Sequence, residues 1–294
     1  MMDKRSLPTG RRENHLLRLA RHLTDRDHDI LSLLHTHRVL TTSQITQVAF
    51  TSHSRTLQRM RTLTALGVVA RFCPRLDRGS APWHYVLDTH GARVVAADQG
   101  RDAERARVRR DRQLAVANSA HLAHRVGVNG FFTSLTGSAR ASEGRAELGE
   151  WLNAADAAEW VDARSRQAWG AGLPQPDGYG HWRQGGRSLA FFLEWDTGSE
   201  THRQLTAKLE RYVAFAGSAT VPVPWVLFVF PSGRREANAG SALSRVPGVR
   251  QVPVATACLP DAAAPDEAVW RPLGTGGDRV RLAKLATAGA VAWG

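Results

Sequence analysis

The sequence predicts an α+β protein of two domains, a small N-terminal domain of three helices and a β-hairpin, and a larger α/β domain with a central mixed sheet. The chain has 294 residues, more than one domain of roughly 100 to 200 residues usually holds. Hydrophobic residues form 43% of it and charged residues 22%, which is a globular composition. Helical hydrophobic spacing prevails up to about residue 132, and β-like runs alternate with helical ones from about Glu147 onward.

Positive charge is concentrated in the N-terminal part of the chain. Residues 1–112 contain 21 Lys and Arg against 11 Asp and Glu, so this part carries +10 of the net charge of +12. A basic region of this kind favours a polyanionic partner, because each phosphate that it neutralises releases condensed counter-ions. We therefore expect the chain to bind double-stranded DNA.

Cysteine usage and hydropathy argue against two classes of protein. Cys73 and Cys258 are far apart and neither belongs to a C-x-x-C pair, so neither a disulfide framework nor a four-ligand zinc site is predicted. No apolar run reaches the roughly 18 to 20 residues that a membrane helix requires, and no apolar signal core follows the charged N-terminus. We expect a cytoplasmic protein without a membrane partner.

Two short signals mark helix starts in the N-terminal part. Thr24 and Asp27 form a T-x-x-D pair, and Thr41 and Gln44 form a T-x-x-Q pair, a spacing that is typical of capping boxes. Apolar residues recur at helical spacing after each pair. A third helix is predicted to begin near residues 52–54 and to contain the sequence RTLQRMRTLTALG.

A β-hairpin is predicted directly after the third helix. The β-rich runs VVARF and PWHYVLD are separated by the basic, turn-forming segment CPRLDRGSA. Three helices followed by such a wing form a winged helix-turn-helix, in which the third helix enters the major groove of DNA. The residues expected to contact DNA are Arg55, Gln58, Arg59 and Arg61 on the third helix and Arg75 and Arg78 in the wing. An ordinary solvated helix face and a protein-binding helix-turn-helix are the alternatives.

Changes in composition and periodicity divide the chain into four predicted segments. In order, they are a basic leader (1–22), the winged helix-turn-helix (23–100), a helical connector (101–140) and the α/β domain (141–294). The charged sequence RDAERARVRRDRQ in the connector favours an exposed, stiff helix.

Three carboxylates are predicted to gather at one end of the central sheet. The strongly apolar strand SLAFFLEWD ends in Glu194 and Asp196, and Asp177 lies on the preceding hairpin strand in QPDG. Carboxylates supply the hard oxygen ligands that Mg²⁺ or Mn²⁺ prefers, and such an ion can activate water and stabilise a phosphoryl transition state. The alternative is that these residues only end a strand or cap a turn, because DTGSE is typical of a turn into a helix.

These residues resemble the PD-(D/E)xK nuclease superfamily over about residues 145–255. The matching pattern is the P-D pair in QPDG, 16 intervening residues, and E-W-D at the end of a hydrophobic strand that a long helix follows. The resemblance implies a restriction-endonuclease-like fold and a metal-dependent DNA-nicking site formed by Asp177, Glu194 and Asp196. Asp196 stands where the superfamily has lysine, which leaves the lysine's role to Lys208 on the following helix.

A wider resemblance covers most of the chain. The winged helix and the blocks AHRVGVNGFF, PDGYG and FFLEWDTGSETHRQLTAKLERY are similar to the replication-relaxation family of actinobacterial plasmids and integrative elements. This resemblance implies a role in plasmid replication, DNA relaxation or transfer, with plasmid DNA as the partner.

Three functions are consistent with these patterns. The first is a plasmid-associated DNA-binding protein with a nicking domain, and the second is a non-catalytic regulator whose nuclease-like domain serves homodimerisation or partner binding. The third, a tyrosine relaxase, usually needs a histidine-hydrophobe-histidine motif, which His35-Thr36-His37 does not match in its middle residue. Its candidate nucleophiles are Tyr85, Tyr179 and Tyr212. His121 and His124 have an i, i+3 spacing that suits a metal, although packed histidines are more usual.

Overall fold

The computed structural model describes residue 19 and residues 21–74, 81–103, 113–166, 172–259, 263–275 and 277–291. Contacts between residues divide the chain into two compact units, Met1–Leu122 and Ala123–Gly294. Helices and a seven-stranded mixed sheet confirm the predicted α+β class. No helix in the described ranges is both long and apolar enough to cross a membrane.

The first unit combines helices with a small antiparallel sheet. Its elements in chain order are α1 (Asp25–His37), β1 (Leu40–Thr41), α2 (Thr42–Ala49), α3 (His53–Ala65), β2 (Val69–Phe72), β3 (His84–Leu87) and α4 (Thr89–Asp98). The sheet has the order β1-β3-β2, and both pairings are antiparallel. A 3₁₀ turn at Ala115–Asn118 follows.

The predicted capping residues begin the first two helices. The Thr24 backbone N–H donates to Asp27 Oδ2 at 2.7 Å at the start of α1. Thr41 and Gln44 make a reciprocal pair at α2, with Thr41 N–H donating to Gln44 Oε1 at 2.9 Å and Gln44 N–H donating to Thr41 Oγ1 at 3.3 Å. These bonds satisfy backbone N–H groups that a helix start otherwise leaves without partners, so they fix where each helix begins.

The second unit is built on the seven-stranded sheet. Its elements in chain order are α5 (Leu122–Ala141), β4 (Ala146–Asn153), α6 (Ala154–Asp162), β5 (Gly178–Gln184), β6 (Arg187–Trp195), α7 (His202–Ser218), β7 (Trp225–Phe230), α8 (Gly233–Leu243), β8 (Val254–Cys258), β9 (Ala268–Pro272), β10 (Val280–Arg281) and α9 (Leu282–Val291). The strand order is β10-β9-β8-β7-β6-β5-β4. Strands β6, β7 and β8 are parallel, and the other neighbours are antiparallel.

Helices cover both faces of this sheet. Phe131 and Phe132 of α5 and Leu285 of α9 share one buried cluster with Phe191 of β6. On the opposite face, residues of α6, α7 and α8 form a second cluster around Phe192 of the same strand. Because neighbouring residues of a strand point to opposite faces, β6 is apolar on both sides. This burial explains why SLAFFLEWD lacks the alternation of apolar and polar residues that a half-exposed strand shows.

Two glycines of PDGYG allow α5 to approach the sheet. A Cβ atom on Gly178 would lie 2.8 Å from a ring carbon of Phe132, and one on Gly180 would lie 2.4 Å from a ring carbon of Phe191. Both distances are shorter than a van der Waals contact, so larger residues would displace the aromatic core. The glycines of this motif therefore serve packing.

The division of the chain after Leu122 differs from the predicted connector at residues 101–140. Helix α5 begins in that range but belongs to the second unit, because Phe131, Phe132 and Leu135 are buried in its core. Its apolar face, rather than the charged run before it, decides where the helix packs. Residues 104–112 of the predicted connector and residues 1–18 and 20 of the predicted leader lie outside the described residues.

Candidate functional site

Asp177 is held directly before β5 by backbone and side-chain contacts. Its backbone N–H donates to the Leu193 carbonyl at 3.0 Å, and its Oδ2 accepts from the Trp195 backbone N–H at 2.8 Å. Its Oδ1 lies 3.0 Å from Nε2 of His124 on α5. The hydrogen bond that His124 donates to Asp177 raises the pKa of His124 above 6.5 and outweighs the opposing effect of burial. The imidazolium form of His124 is thus favoured beside the carboxylate.

Glu194 lies near the end of β6, on the face that α7 covers, and is only 2% exposed. The Tyr212 hydroxyl donates to Glu194 Oε1 at 2.6 Å. Nζ of Lys208 lies 3.0 Å from Glu194 Oε2 and 2.8 Å from Glu200 Oε1. Lys208 and Tyr212 reach the same carboxylate because residues four apart share one face of a helix.

Burial and neighbouring charges together set the pKa values of this group. It raises the pKa of Glu194 to about 7, and the Asp177 charge raises it too, whereas Lys208 and Tyr212 lower it. Burial lowers the pKa of Lys208, but the charges of Glu194 and Asp177 and the hydrogen bond to Glu200 outweigh burial and raise it above its usual value. Burial and the Glu194 charge also raise the pKa of Tyr212, so its phenol stays a donor.

The carboxylate of Asp196 belongs to a different ion pair. Its Oδ2 lies 2.6 Å from Nε of Arg235 on α8, and its Oδ1 accepts from the Gly198 backbone N–H at 2.9 Å. Arg235 also donates to the backbone carbonyl of Glu200. These contacts fix the turn between β6 and α7 against α8, and they turn Asp196 towards Arg235.

The predicted site residues therefore separate into two groups. Asp177, Glu194 and Lys208 lie together, whereas Asp196 is engaged by Arg235. The oxygens of Asp177 are engaged by His124 and a backbone N–H, and those of Glu194 by a hydroxyl and an ammonium group. In the ranges that the structure describes, no group of three or more His, Cys, Asp and Glu side chains is arranged to hold a metal ion. This arrangement does not fit a divalent ion, so no reaction step is assigned to one.

Helix α3 exposes three of its four predicted DNA-contacting residues. Arg55, Gln58 and Arg61 are exposed at positions three apart, while Met60 and Leu63 are buried. Arg59 is bound to the buried carboxylate of Asp27, which leaves it on the side of the helix that faces α1. The predicted wing residues Arg75 and Arg78 lie outside the described residues.

The tyrosines offer no accessible nucleophile. All three tyrosines of the chain are buried, with Tyr85 and Tyr212 at 0% exposure and Tyr179 at 4%. His37 of the predicted histidine pair is buried as well, and burial lowers its pKa to about 3. The positions of these side chains therefore do not support a tyrosine relaxase site.

Sequence patterns did not assign His124, Glu200 and Arg235 to the carboxylates. The only sequence pattern that included His124 was its i, i+3 spacing from His121. That spacing does not predict a contact with Asp177, which is distant in sequence. The sequence indicated Tyr212 only as a candidate nucleophile. Tyr212 lies four residues after Lys208 on one helix, and this spacing is a signal that could have linked both residues to one carboxylate.

The two units define a protein of mixed class, with a basic helical unit and a helix-covered sheet that carries buried, ion-paired carboxylates. The chain belongs to the replication-relaxation family, whose model matches residues 31–222, more than half of the chain. The match includes all members of the cluster around Glu194, namely His124, Asp177, Glu200, Lys208 and Tyr212. No significant match was found among curated proteins or among solved structures.

Proposed function

We propose that this protein binds plasmid DNA in replication or relaxation and that its first unit is a winged helix-turn-helix. Membership of the replication-relaxation family supports this role. The observation that carries the proposal is the exposed row of Arg55, Gln58 and Arg61 on α3. Bidentate contacts of arginine with guanine and of glutamine with adenine are common ways to read the major groove.

The arrangement around α3 supports insertion into DNA. Helix α2 precedes α3 with a short turn between Ala49 and His53, and the β2-β3 hairpin follows it. Exposed Trp83 stacks with Arg71 near the loop end of this hairpin, where the guanidinium carbon lies 4.2 Å from the ring centroid. The excess of positive charge in residues 1–112 supplies the attraction to phosphate.

Binding to a duplex from the host plasmid tests this proposal. Arg61→Ala should weaken binding in fluorescence anisotropy and reduce the slope of log affinity against log salt concentration by about 1 if the residue contacts phosphate. Arg211→Ala, which removes the same charge from an exposed position on α7, is the matched control. Equal losses in the two variants, or no loss in either, would contradict a specific role of α3.

For the second unit we propose a restriction-endonuclease-like fold that serves homodimerisation or partner binding without catalysis. A mixed sheet with helices on both faces and a convergence of Asp177, Glu194 and Lys208 support the fold. The engagement of these carboxylates by ammonium, imidazole and hydroxyl groups supports the non-catalytic role over a Mg²⁺-dependent nickase.

A nicking assay on supercoiled plasmid distinguishes the non-catalytic role from a Mg²⁺-dependent nickase. Wild type and Asp177→Ala are incubated with the plasmid in Mg²⁺ or Mn²⁺, and we expect the two proteins to give equal amounts of nicked circles. Nicking by wild type that Asp177→Ala abolishes would establish a nickase. Sedimentation of the purified protein then tests the proposed homodimer.

A further inference from the structure

The ammonium group of Lys208 lies between two acidic side chains of the second unit. Its Nζ is 3.0 Å from Glu194 Oε2 and 2.8 Å from Glu200 Oε1. The Lys208 side chain is 24% exposed, and that of Glu194 is 2% exposed. Asp177 is close enough for its charge to act on both Glu194 and Lys208. One cation therefore lies within a group of three carboxylates.

Two oxygen atoms in this group lack hydrogen-bond donors. Glu194 Oε2 and Glu200 Oε2 are buried, and neither accepts a hydrogen bond within the described part of the chain. The Lys208 ammonium forms an ion pair with Glu194 Oε2 and supplies the positive charge that this oxygen faces. A buried carboxylate oxygen without a donor is costly, and a nearby positive charge is what compensates for it.

We propose that the Lys208 ammonium takes the place of a divalent cation at this site and thereby makes the site independent of metal. The inference deepens the proposed non-catalytic role of the second unit and rests on it. It predicts that removal of this one side chain converts the ion-paired cluster into a cation-binding site.

Charge and size both favour the exchange of the Lys208 ammonium for a divalent cation. Without the ammonium, Glu194 and Glu200 keep their carboxyl groups beside the vacated volume, and the nearby charge of Asp177 acts on it as it acts on Lys208. Loss of Lys208 also raises the pKa of Glu194, because the ammonium lowers it in the wild type, so an entering ion displaces the Glu194 proton when it binds. Carboxylate oxygens bind Ca²⁺ at about 2.3 to 2.6 Å, so the present distances of 2.8 and 3.0 Å require only small shifts. In the wild type, an entering ion must first displace a lysine that neighbouring carboxylates hold in its charged form. The lysine thus competes directly with the ion.

The experiment measures Mn²⁺ binding to the full chain by isothermal titration and thermal unfolding at pH 7 and at pH 8. Binding to Lys208→Ala should be tighter at pH 8, because the ion displaces a proton from Glu194. Lys208→Ala removes the charge and opens space, whereas Lys208→Met removes the charge but fills the space. Exposed Lys284→Ala controls for loss of a lysine elsewhere. We expect Mn²⁺ to bind Lys208→Ala at least about tenfold more tightly than wild type and to raise its melting temperature by about 3 °C or more. Lys208→Met and Lys284→Ala should behave as wild type does.

Three outcomes with the alanine and methionine variants would overturn the inference. They are equal Mn²⁺ affinity in wild type and Lys208→Ala, equal gains in Lys208→Ala and Lys208→Met, and retained Mn²⁺ binding in the double variant Lys208→Ala with Glu200→Gln. Lys208→Ser provides a second open variant in case the alanine variant does not fold, and absence of Mn²⁺ binding in this folded variant also overturns the inference. DNA binding by α3 is measured separately, so a failure of this inference is distinguishable from a failure of the proposed DNA-binding function.

Discussion

Arg59 of α3 makes a two-point contact with the buried carboxylate of Asp27 on α1. Its Nε donates to Asp27 Oδ1 at 2.9 Å and its Nη2 to Asp27 Oδ2 at 2.5 Å, while Nη2 also donates to the His22 carbonyl at 2.7 Å. Burial raises the pKa of Asp27, but the hydrogen bonds from Arg59 and Thr24 outweigh it and hold the pKa below its usual value. This pair fixes α3 against α1 and thereby orients the exposed face of α3.

Arg59→Ala should destabilise the first unit. The substitution leaves the charge of Asp27 buried without its main partner, and breaking such pairs costs about 3 to 5 kcal/mol in fully buried sites. Because the Arg59 side chain is 26% exposed, we expect a smaller loss of about 2 kcal/mol in the free energy of unfolding. This loss is measured by urea unfolding of wild type and Arg59→Ala. Arg55→Ala on the same helix is exposed and should change this free energy by no more than about 0.5 kcal/mol.

Any loss of DNA binding in Arg59→Ala should follow from this loss of stability. We expect the variant to bind DNA normally at temperatures where circular dichroism shows it folded. Weak binding by a fully folded Arg59→Ala would mean that Arg59 leaves Asp27 to contact DNA.

The second unit should lose stability as the pH rises from about 4.5 to about 7. Burial raises the pKa of Glu194 from 4.5 to about 7 in the folded protein. The folded state therefore holds the Glu194 proton more strongly than the unfolded state does. The stabilisation that results is fully present below pH 4.5 and is lost as the pH rises through 7. Chemical unfolding across this range, followed by a probe within the second unit, measures the effect.

Glu194→Gln removes this titration and is the control for that measurement. The difference between the unfolding free energies of wild type and Glu194→Gln should change across the same pH interval. The contribution of His124 to the free energy of unfolding also depends on pH, at higher pH, because its raised pKa favours the protonated folded state. This dependence is the same in both proteins. A pH-independent difference between the two proteins would refute the assignment to Glu194.

The sequence predicted the elements whose signals are local. The pairs Thr24 with Asp27 and Thr41 with Gln44 begin helices, because a capping box needs only four consecutive residues. The apolar run before Glu194 forms a central strand for a similar reason. The family prediction from the PDGYG and FFLEWDTGSE blocks is confirmed by the family match. The actinobacterial source and the PD-(D/E)xK resemblance stay predictions.

Local sequence patterns could not predict contacts between residues that are distant in sequence. Periodicity placed Arg59 near the exposed face of α3, but Asp27, on another helix, decides which way its side chain turns. Asp196 and Glu194 are two residues apart, yet a turn follows β6 and Arg235 draws Asp196 to α8. In both cases, a tertiary ion pair determines the orientation of the side chain.

Arg235→Ala should destabilise the second unit without creating or abolishing a DNA contact of α3. It leaves the carboxylate of Asp196, whose side chain is 1% exposed, with only the Gly198 N–H as a described donor. We expect a loss of about 2 to 4 kcal/mol in unfolding free energy, measured in urea. Exposed Arg234→Ala is the neighbouring control and should stay close to wild type. The paired variant Arg235→Ala with Asp196→Ala should recover part of the loss.

Gly127→Ala should displace the pair formed by His124 and Asp177. A Cβ atom at Gly127 would lie 2.3 Å from the indole ring of Trp195, so either α5 or Trp195 must move. Each movement disturbs the pair, because His124 lies one turn earlier on α5 and the Trp195 backbone N–H binds Asp177. We expect a destabilisation of about 1 to 3 kcal/mol, the range for overpacked cores, and a fall in the pKa of His124.

Thermal unfolding and NMR titration of the His124 ring protons measure these two effects. Gly217→Ala on α7 is the matched control, since its Cβ meets no atom within 4 Å and alanine favours a helix over glycine. The control should be neutral or slightly stabilising, and its His124 pKa should equal that of wild type. If Gly127→Ala lowered stability while the His124 pKa stayed raised, the contact of α5 with Trp195 would serve packing alone and would not position His124.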